Sequence, residues 1–415
     1  MSKKVYFKTF GCRTNIYDTE IMKNSIESYE ICEDESSADI IVVNSCTVTN
    51  GADSDVRNYL NRANRSGKKV FLTGCGAISK GEELFKENKA FGVFGMGEKL
   101  KIDEFLKRDD KFIELGNLDS IEKGSVVSFS SHTKAFLKIQ EGCNFNCSYC
   151  IIPSVRGKAR SKDENALLEE ATHLAENGFS EIVLTGTNIG SYGRDKDTSL
   201  AKLLKKLSQI KGIKRVRLGS LEPSQIDSEF RELLDEEWLE RHLHIALQHT
   251  SQKMLTIMRR RNNAFRDLEL FNYLANKGFA LGTDFIVGHP GESSEIWTEA
   301  MQNFKKFPLT HIHAFIYSPR DGTHSAAMKM DVNGKVAKER LKFIKNIVDI
   351  NNFNFRKKRY NESLKVLVEQ EIDGHYTGFD QFYNGVFIKS DESLVNRWIE
   401  VGKYEVTKAG NFAKI

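Results

Sequence analysis

EGCNFNCSYCIIPSVRGKAR, residues 141–160, places three of the seven cysteines of this 415-residue chain, Cys143, Cys147 and Cys150, within eight positions. A loop with this spacing can supply three thiolates to one corner of a cubane iron–sulfur cluster, leaving one iron without a protein ligand. The alternative is a structural zinc site, but zinc takes four closed ligands there, usually from paired Cys-x-x-Cys units. The nearest histidines lie eleven residues before the first of these cysteines and twenty-three after the last. The spacing therefore favours a cluster.

The pattern Cys-x-x-x-Cys-x-aromatic-Cys, with Tyr149 as the aromatic residue, resembles the signature of the radical S-adenosylmethionine superfamily. The resemblance implies a [4Fe–4S] cluster on these three cysteines. It also implies that the open iron chelates the amino and carboxylate groups of the methionine moiety of S-adenosylmethionine.

Composition indicates a soluble globular protein of two or three domains, since 40% of the residues are hydrophobic and 28% are charged. No apolar run approaches the eighteen or so residues of a membrane span, and the N-terminus lacks the apolar core of a signal peptide. We therefore expect a cytoplasmic protein without a membrane partner, whose thiols are reduced and free to bind metal. The net charge of +4 is weak evidence for a nucleic-acid partner.

The first hundred residues alternate strand and helix patterns, which predicts a doubly wound parallel sheet. Cys12, Cys46 and Cys75 each come directly after one of the first three predicted strands, residues 4–10, 38–44 and 69–74. A fourth strand is predicted at 91–95, and helices at 15–29, 53–65 and 81–88. Ligands of open parallel sheets bind outside the carboxyl ends of the strands, so these thiols form a second candidate metal site. Each could instead be a small core side chain.

From residue 134 onward the chain repeats strand and helix. The six predicted strands are residues 135–140, 181–186, 214–220, 242–247, 280–288 and 311–318. Six such units with right-handed crossovers predict a partly open (β/α)6 barrel, with its chemistry at the carboxyl ends of the strands. After the last long helix, five short alternating strands between residues 364 and 410 predict a small β-barrel. The expected domains are residues 1–115, 130–356 and 357–415.

Motifs in all parts of the chain narrow the resemblance. FGCRTNIYDTE, VVNSCTVTN and TGCGA around the first three cysteines look like the N-terminal domain of the methylthiotransferases, a group of radical S-adenosylmethionine enzymes. RLGSLEP, LQHTSQKMLTIMRRR, TDFIVGHPGE and YSPRDGT follow in family order. The resemblance implies two [4Fe–4S] clusters, S-adenosylmethionine as cofactor, and a C-terminal barrel similar to the TRAM RNA-binding domain.

By position, the resemblance also suggests contacts to S-adenosylmethionine or residues that shape its pocket. LTGTNIGSYG occupies the place where radical enzymes contact the methionine amino group, although it lacks the Gly-Gly-Glu form common in the superfamily. Capping or turn roles are the alternative for each candidate. The candidates are Thr185, Gly186, Asn188, Ser220, Glu222, Gln248 and Asp284.

Basic residues gather near the predicted catalytic loops and before the C-terminal barrel. Runs of charge commonly mark a solvated helix face, but next to catalytic loops they favour contacts with an RNA backbone. The candidates are Arg156, Lys158, Arg160, Arg259, Arg260, Arg261, Lys357, Lys358 and Arg359.

The resemblance implies a tRNA methylthiotransferase, which inserts sulfur at an unactivated aromatic C–H bond and methylates it. The motifs look most like the branch that acts on C2 of N6-threonylcarbamoyladenosine 37. Isopentenyl-adenosine 37 and a ribosomal-protein aspartate are alternative substrates, because His249 and His289 depart from relatives near the predicted pocket. The expected partners are a tRNA anticodon stem-loop, an external electron donor and a sulfur source. An electron carrier with two clusters and an RNA-binding protein with structural zinc remain rival classes.

Overall fold

The structure, a computed structural model, describes residues 2–119, 121–129 and 132–415. An N-terminal sheet, a partial parallel barrel and a C-terminal curled sheet follow one another along the chain. The predicted α/β class is confirmed. Residue 130, the predicted start of the middle domain, lies outside the described residues. The predicted boundary at 356/357 falls in the last turn of a helix.

The N-terminal part is a sheet with strand order β2-β1-β3-β4-β5-β6 in which every pair is parallel. The middle strand Ile40–Ser45 is fully buried, and its side chains alternate between apolar cores on the two faces of the sheet. The doubly wound prediction is therefore confirmed, with two short outer strands, β2 and β6, that it did not contain. The elements are β1 (Lys4–Thr9), α1 (Arg13–Asn24), β2 (Glu30–Ile31), β3 (Ile40–Ser45), α2 (Asn50–Arg65), β4 (Lys69–Gly74), α3 (Cys75–Lys86), β5 (Gly92–Phe94), α4 (Ile102–Lys107) and β6 (Phe112–Glu114).

The middle part contains the six predicted parallel strands in two hydrogen-bonded sheets, β10-β9-β7-β8, whose short strand β8 is antiparallel to β7, and β11-β12-β13. Hydrogen bonding is weakest between β10 and β11, where bridges such as Leu221 to Ile245 continue the sheet. Helices cover the outer face and share one apolar core with the strands. The elements are β7 (Ala135–Glu141), α5 (Ile152–Arg156), β8 (Arg160–Ser161), α6 (Glu164–Glu176), β9 (Glu181–Gly186), α7 (Leu200–Leu207), β10 (Arg215–Leu218), α8 (Ser228–Arg231), β11 (His242–His244), α9 (Gln252–Ile257), α10 (Ala264–Asn276), β12 (Ala280–Val287), α11 (Ser294–Phe304), β13 (His311–Ile316) and α12 (Gly334–Lys358).

Polar side chains at the ends of the strand-to-helix loops fix where several helices begin. Thr49, Asp163, Asn263 and Asn333 each accept a hydrogen bond from a backbone N–H in the first turn of the following helix. Short 3₁₀ turns occur at Glu35–Ser37, Met96–Lys101, Ile189–Ser191, Pro223–Gln225 and His324–Ala327. None of the helices in the described ranges has the length and apolarity needed to cross a membrane.

The C-terminal part is a small curled sheet of strand order β17-β14-β15-β16-β19-β18, mostly antiparallel, of the kind expected for a small barrel. It has six strands in the described residues, whereas the sequence predicted five. The strand predicted at 404–410 is present only at Glu405–Val406, because Thr407 turns the chain: its hydroxyl accepts from the N–H groups of Ala409 and Gly410, and a sixth strand follows from Asn411. The strands are β14 (Leu364–Ile372), β15 (His375–Phe379), β16 (Gly385–Lys389), β17 (Trp398–Val401), β18 (Glu405–Val406) and β19 (Asn411–Lys414).

The C-terminal sheet docks on the amino ends of the barrel strands. Arg217 on β10 donates to the Asp380 carbonyl (2.8 Å), and the Trp398 indole donates to Ser180 (2.8 Å). At the other end of the barrel, α1 of the N-terminal part contacts β7 and β9. The carboxyl ends of the barrel strands thus face the N-terminal sheet.

Candidate active site

The loop that carries Cys143, Cys147 and Cys150 lies between β7 and α5 and is fastened by backbone hydrogen bonds. The Cys143 N–H donates to the Gly157 carbonyl (3.0 Å), and the Cys150 N–H donates to the Cys147 carbonyl (3.1 Å). The loop begins at Gly142, whose φ is +75° and where a Cβ would lie 2.0 Å from the Lys158 carbonyl oxygen. Only glycine fits this combination of backbone angle and close approach.

The three thiols of this loop share one site. Burial raises the pKa of Cys150 to about 12; the Ile152 N–H opposes this shift, and the neighbouring Cys147 and Cys143 thiols add to it. A buried thiol with two others beside it is poorly placed to ionise alone, and a bound metal would stabilise all three thiolates. We refer to these cysteines as the loop triad.

Polar side chains from the barrel strand ends reach the sulfur atoms of the loop triad. The Asn188 amide donates to Cys143 Sγ (3.6 Å), and Arg260 Nη1 donates to Cys147 Sγ (3.7 Å). Asn188 is itself fixed, because Gln225 donates to its Oδ1 (2.6 Å). These donors would hold the ring of sulfur ligands in place and tune it electrostatically.

Cys12, Cys46 and Cys75 follow the neighbouring strands β1, β3 and β4 at the carboxyl edge of the N-terminal sheet. Cys12 caps α1, and Cys75 is the first residue of α3. A Cβ on Gly11, whose φ is +102°, would lie 2.7 Å from the Cβ of Cys46. The strand ends therefore place these thiols at one edge of the sheet, and we refer to them as the sheet triad; their role as metal ligands stays a prediction.

The electrostatics of the sheet triad show the same convergence. Burial raises the pKa of Cys75 to about 11; Arg156 opposes the shift, whereas Cys12 and Cys46 add to it. The seventh cysteine, Cys32, lies level with the start of β1, where its N–H donates to the Val5 carbonyl (3.0 Å). Each triad thus offers three thiols, which fits a cubane cluster with one open iron better than a four-ligand zinc site.

Arg156, six residues after Cys150, contacts the sheet triad. Its Nε donates to Cys75 Sγ (3.1 Å), while its other nitrogens donate to Asn15 (2.6 Å), Asp18 (2.7 Å) and Glu141 (2.6 Å). This side chain is only 3% exposed. The predicted contact of Arg156 with an RNA backbone is therefore a misassignment, because the guanidinium is enclosed and already paired.

Arg156 belongs to a buried ion-pair network between the N-terminal sheet and the barrel. Lys138 lies 2.7 Å from Asp18 and 2.9 Å from Glu122, and Lys99 also bonds both carboxylates. Burial opposes ionisation of Asp18, but Lys138, Lys99 and Arg156 outweigh it and hold the pKa well below its usual range. The network fixes α1, and with it Cys12, against the barrel.

A cavity of about 290 Å³ adjoins the loop triad. Its lining includes Tyr149, Cys150 and Gln248 from the barrel, and Val48 and Thr49, which follow Cys46 in the chain. Its walls mix aromatic, apolar and a few polar groups, as is typical of small-molecule sites. The cavity thus lies between the loop triad and the segment that follows Cys46, while the sulfur atoms of the sheet triad do not line it.

The seven candidates for S-adenosylmethionine contacts lie at or near the carboxyl ends of β9 to β12, and their role remains a prediction. Thr185 lies 3.3 Å from Thr14 on α1, and Glu222 pairs with Arg260. Gln248 has a φ of +68° and lines the cavity together with Asp284. The remaining candidates, Gly186, Asn188 and Ser220, lie on the same rim.

The structure separates the basic candidates into two groups. Arg260 is 3% exposed and bonded to Glu222, so the predicted RNA contact of Arg260 is also a misassignment. Arg261 is exposed, and its guanidinium covers the Phe145 ring at 4.7 Å. Arg359 packs on Phe382 and pairs with Glu362 (2.7 Å). Lys158, Arg160, Arg259, Arg261, Lys357, Lys358 and Arg359 stay predicted RNA contacts.

Several site residues were absent from the predicted set. Arg320 donates to Asp53 (2.6 Å) and to the Thr47 carbonyl (3.0 Å), which ties the loop after Cys46 to the barrel. Asp18 and Lys138 carry the buried network. The sequence offered only one weak signal for them, a lysine between the apolar residues of the strand AFLKIQ. His249 and His289 are buried and hydrogen-bonded, the latter to Ser325 (2.8 Å).

Two family models match the chain. The Radical SAM superfamily matches residues 137–304, and the family described as "Uncharacterized protein family UPF0004" matches residues 4–95. The radical S-adenosylmethionine methyltransferase TsrM from Kitasatospora setae has the same kind of fold, with a TM-score of 0.54 at 14% identity over 79% of this chain and 77% of that chain. The barrel and its cysteine loop thus define a radical S-adenosylmethionine enzyme.

Curated relatives show to which family of radical S-adenosylmethionine enzymes the chain belongs. A Helicobacter pylori protein named "Putative methylthiotransferase" is 50% identical over 99% of both chains. The threonylcarbamoyladenosine tRNA methylthiotransferase MtaB of Aquifex aeolicus is 36% identical over 89% of this chain and 93% of its own length. The ribosomal protein uS12 methylthiotransferase RimO of Campylobacter jejuni is 33% identical over 90% of this chain and 87% of its own length. The chain belongs to the radical S-adenosylmethionine methylthiotransferase family, which implies S-adenosylmethionine and two [4Fe–4S] clusters.

Proposed function

We propose that this enzyme methylthiolates C2 of N6-threonylcarbamoyladenosine 37 in tRNA. The observation that carries the reaction is that two three-thiol sites are linked by direct packing, because Cys75 of the sheet triad contacts Ile151 and Val155, which follow the loop triad. A three-thiol site leaves one cluster iron open to a non-protein ligand. Clusters held at both sites would supply a radical source and a sulfur carrier for one bound substrate.

The loop triad is the proposed ligand set of the radical cluster. When bound there, the cluster and S-adenosylmethionine supply the 5′-deoxyadenosyl radical needed to break an unactivated aromatic C–H bond, which acid–base groups cannot break at neutral pH. The chain's own residues position the sulfur ligands of this site and exclude water from it. Asn188 and Arg260 donate to two of the sulfur atoms, and Tyr149 lines the adjoining cavity.

The sheet triad is the proposed ligand set of the second cluster, which holds the sulfur to be inserted. Arg156 donates to Cys75 and is anchored on the loop side by Glu141. Ile151 and Val155, which follow the loop triad, pack against Cys75. These contacts would keep the two clusters at a fixed separation, which proximity-based catalysis requires.

The proposed substrate is supported by the curated relatives and by charge. The threonylcarbamoyladenosine enzymes of Aquifex aeolicus and Bacillus subtilis are 36% and 34% identical to this chain. Lys158 is exposed and lies on the segment of the loop triad, and Arg259 and Arg261 are exposed and flank Arg260, which contacts Cys147. These cations are available to the phosphates of an anticodon stem-loop. Lys357 and Lys358 are also exposed, at the end of α12 next to the C-terminal sheet.

Nucleoside mass spectrometry of tRNA from cells that lack the gene tests the substrate. We expect 2-methylthio-N6-threonylcarbamoyladenosine to disappear and N6-threonylcarbamoyladenosine to accumulate. The gene for the wild-type chain should restore the modification, whereas a Cys147→Ala gene should not. Loss of the methylthio group from isopentenyl-adenosine instead, or of methylthioaspartate from a ribosomal protein, would overturn the proposed substrate while leaving the reaction class intact.

A further inference from the structure

Two histidines that have no role in the reaction described above converge inside the barrel on Asp284, which is also a predicted S-adenosylmethionine contact. Asp284 on β12 is the register partner of His313 on β13, and His244 on β11 lies beside them. His244 Nε2 is 3.1 Å and His313 Nδ1 is 3.5 Å from Asp284 Oδ1. All three atoms lie within 4.8 Å of one another.

These distances fit coordination around one ion. Metal–ligand bonds of about 2.1 Å that meet at tetrahedral or octahedral angles place neighbouring ligand atoms about 3.0–3.4 Å apart. The two separations from Asp284 Oδ1 match that spacing, and small rotations of the imidazoles close the third side. Two histidines and one carboxylate on one face are a set that divalent transition metals bind while keeping open positions.

Gly282 leaves space on the histidine side of this group. Within the described part of the chain, the buried Nε2 atom of His242 has no hydrogen-bond partner, and the buried Nε2 atom of His244 has Asp284 Oδ1 as its polar neighbour at 3.1 Å. Gly282 stands between them: a Cβ there would lie 2.7 Å from His244 Nδ1 and 2.9 Å from His242 Nε2. Glycine at this position makes room for the imidazoles to reorient around a ligand.

The imidazoles of the site are held by ring packing. His244 stacks on His313 with ring centroids 4.5 Å apart, and His242 lies edge-on to His311 at 4.7 Å. Neutral imidazole is the form that binds metal.

The geometry points to a third metal site, in which His244, Asp284 and His313 bind a divalent first-row transition metal. His313 is 63% exposed, and Asp284 lines the cavity next to Cys150. The open coordination positions therefore face the substrate space. An ion there would offer a Lewis acid to an oxygen of the bound substrate. The site is distinct from both cysteine triads because it uses no thiol.

Binding of Mn²⁺ to the iron-reconstituted enzyme tests this site. Mn²⁺ prefers nitrogen and oxygen ligands over thiolates, so it reports this site rather than a vacant cysteine triad. Titration is followed by the loss of the electron paramagnetic resonance signal of free Mn²⁺. We expect saturable uptake of about one ion per chain, because the three residues form one ligand set.

Variants test whether the Mn²⁺ uptake occurs at this site. His313→Ala removes an exposed side chain and should weaken binding at least about tenfold, the loss of one ligand. Asp284→Asn should do the same, whereas His173→Ala, on the outer face of α6, should bind as the wild type does. Iron content is measured in every sample to show that both clusters persist. Absence of saturable uptake by the wild type, or equal uptake by His313→Ala, would overturn the proposal and would identify the cluster as a hydrogen-bonded group only.

Discussion

The two cysteine triads reach similar arrangements by different routes. The loop triad is contiguous, spans eight residues, and is shaped mainly by local hydrogen bonds such as that from Cys143 N–H to Gly157. The sheet triad spans residues 12 to 75 and exists only when β1, β3 and β4 pair in register. A local loop can be read from spacing, whereas a dispersed site depends on tertiary structure. Substitutions at the two sites should therefore have different effects on iron binding and on activity.

The largest expected difference comes from removing one ligand at each site. Cys147→Ala should lower the iron content of the reconstituted enzyme from roughly eight to roughly four per chain. It should also abolish reductive cleavage of S-adenosylmethionine. Cys46→Ala should lose the other four irons but retain cleavage, measured as 5′-deoxyadenosine, while the methylthiolated product falls to background.

Cys32→Ala is the matched control, because its thiol lies away from both triads. Iron content and both activities should equal those of the wild type. If Cys46→Ala lost S-adenosylmethionine cleavage as completely as Cys147→Ala, the division of labour between the triads would be wrong.

A second difference concerns the buried network that holds the two sites together. Asp18→Asn leaves Lys138, Lys99 and Arg156 without one of their carboxylates. Breaking one partner of a buried network costs about 3–5 kcal/mol, because the remaining charges are buried without compensation. Urea unfolding should show this loss, and the sheet triad should lose iron before the loop triad does.

Asp109→Asn provides the comparison on the surface. Asp109 pairs with Lys69 at 3.0 Å but is exposed, so solvent screens the pair. No measurable change of the urea midpoint is expected for this variant. A comparable loss in both variants would show that burial of the network is not what stabilises the junction.

Acid should weaken the barrel through a carboxylate remote from both triads. Glu181 is buried, which opposes its ionisation, but Arg217 and Arg215 outweigh burial and hold the pKa at about 2. Its unfolded pKa is about 4.3. A lowered folded pKa means that the stabilisation is present above about pH 4.3 and is lost as the pH falls toward 2, by on the order of 2–3 kcal/mol.

Urea midpoints measured between pH 6 and pH 3 check this expectation against Glu181→Gln. The variant should start less stable at pH 6 and should show a flatter decline, since it has no carboxylate to protonate. Equal slopes in both proteins would contradict the assignment of acid sensitivity to Glu181.

The sequence predicted the strands and loops that carry the cysteines of both triads better than it predicted the charged side chains around them. Strand-ending cysteines and six strand–helix units could be read from periodicity, because neighbouring parallel strands deliver their carboxyl ends to one edge. The charge runs could not be interpreted in the same way. Arg156 and Arg260 stand beside Lys158 and Arg261 in the sequence, yet the first two are buried. Which cation turns inward depends on distant partners, Asp18 and Glu222, that no local pattern connects.

The histidines illustrate the same limit. HLH in β11 and HIH in β13 place two imidazoles each on one face of a strand, since side chains alternate with period two. Spacing alone does not say whether that face is the barrel interior or the helix layer. The register that pairs Asp284 with His313 shows which face the histidines occupy, and register is a tertiary property.

The smallest expected effect tests whether backbone shape, rather than thiol chemistry, separates the triads. Gly11→Ala introduces a Cβ 2.7 Å from Cys46 Cβ at a φ of +102°. Such strain costs about 1–3 kcal/mol, and the chain can relieve it by moving Cys46. Iron bound by the sheet triad should therefore decrease while S-adenosylmethionine cleavage persists. Gly51→Ala, at the start of α2 where the nearest atom is 3.8 Å from the new Cβ, should change neither quantity. Gly11 bears no ligand atom, so selective iron loss in Gly11→Ala would show that the sheet triad depends on the close approach of two strand ends. Unchanged iron content would show that the two strand ends can accommodate an extra Cβ.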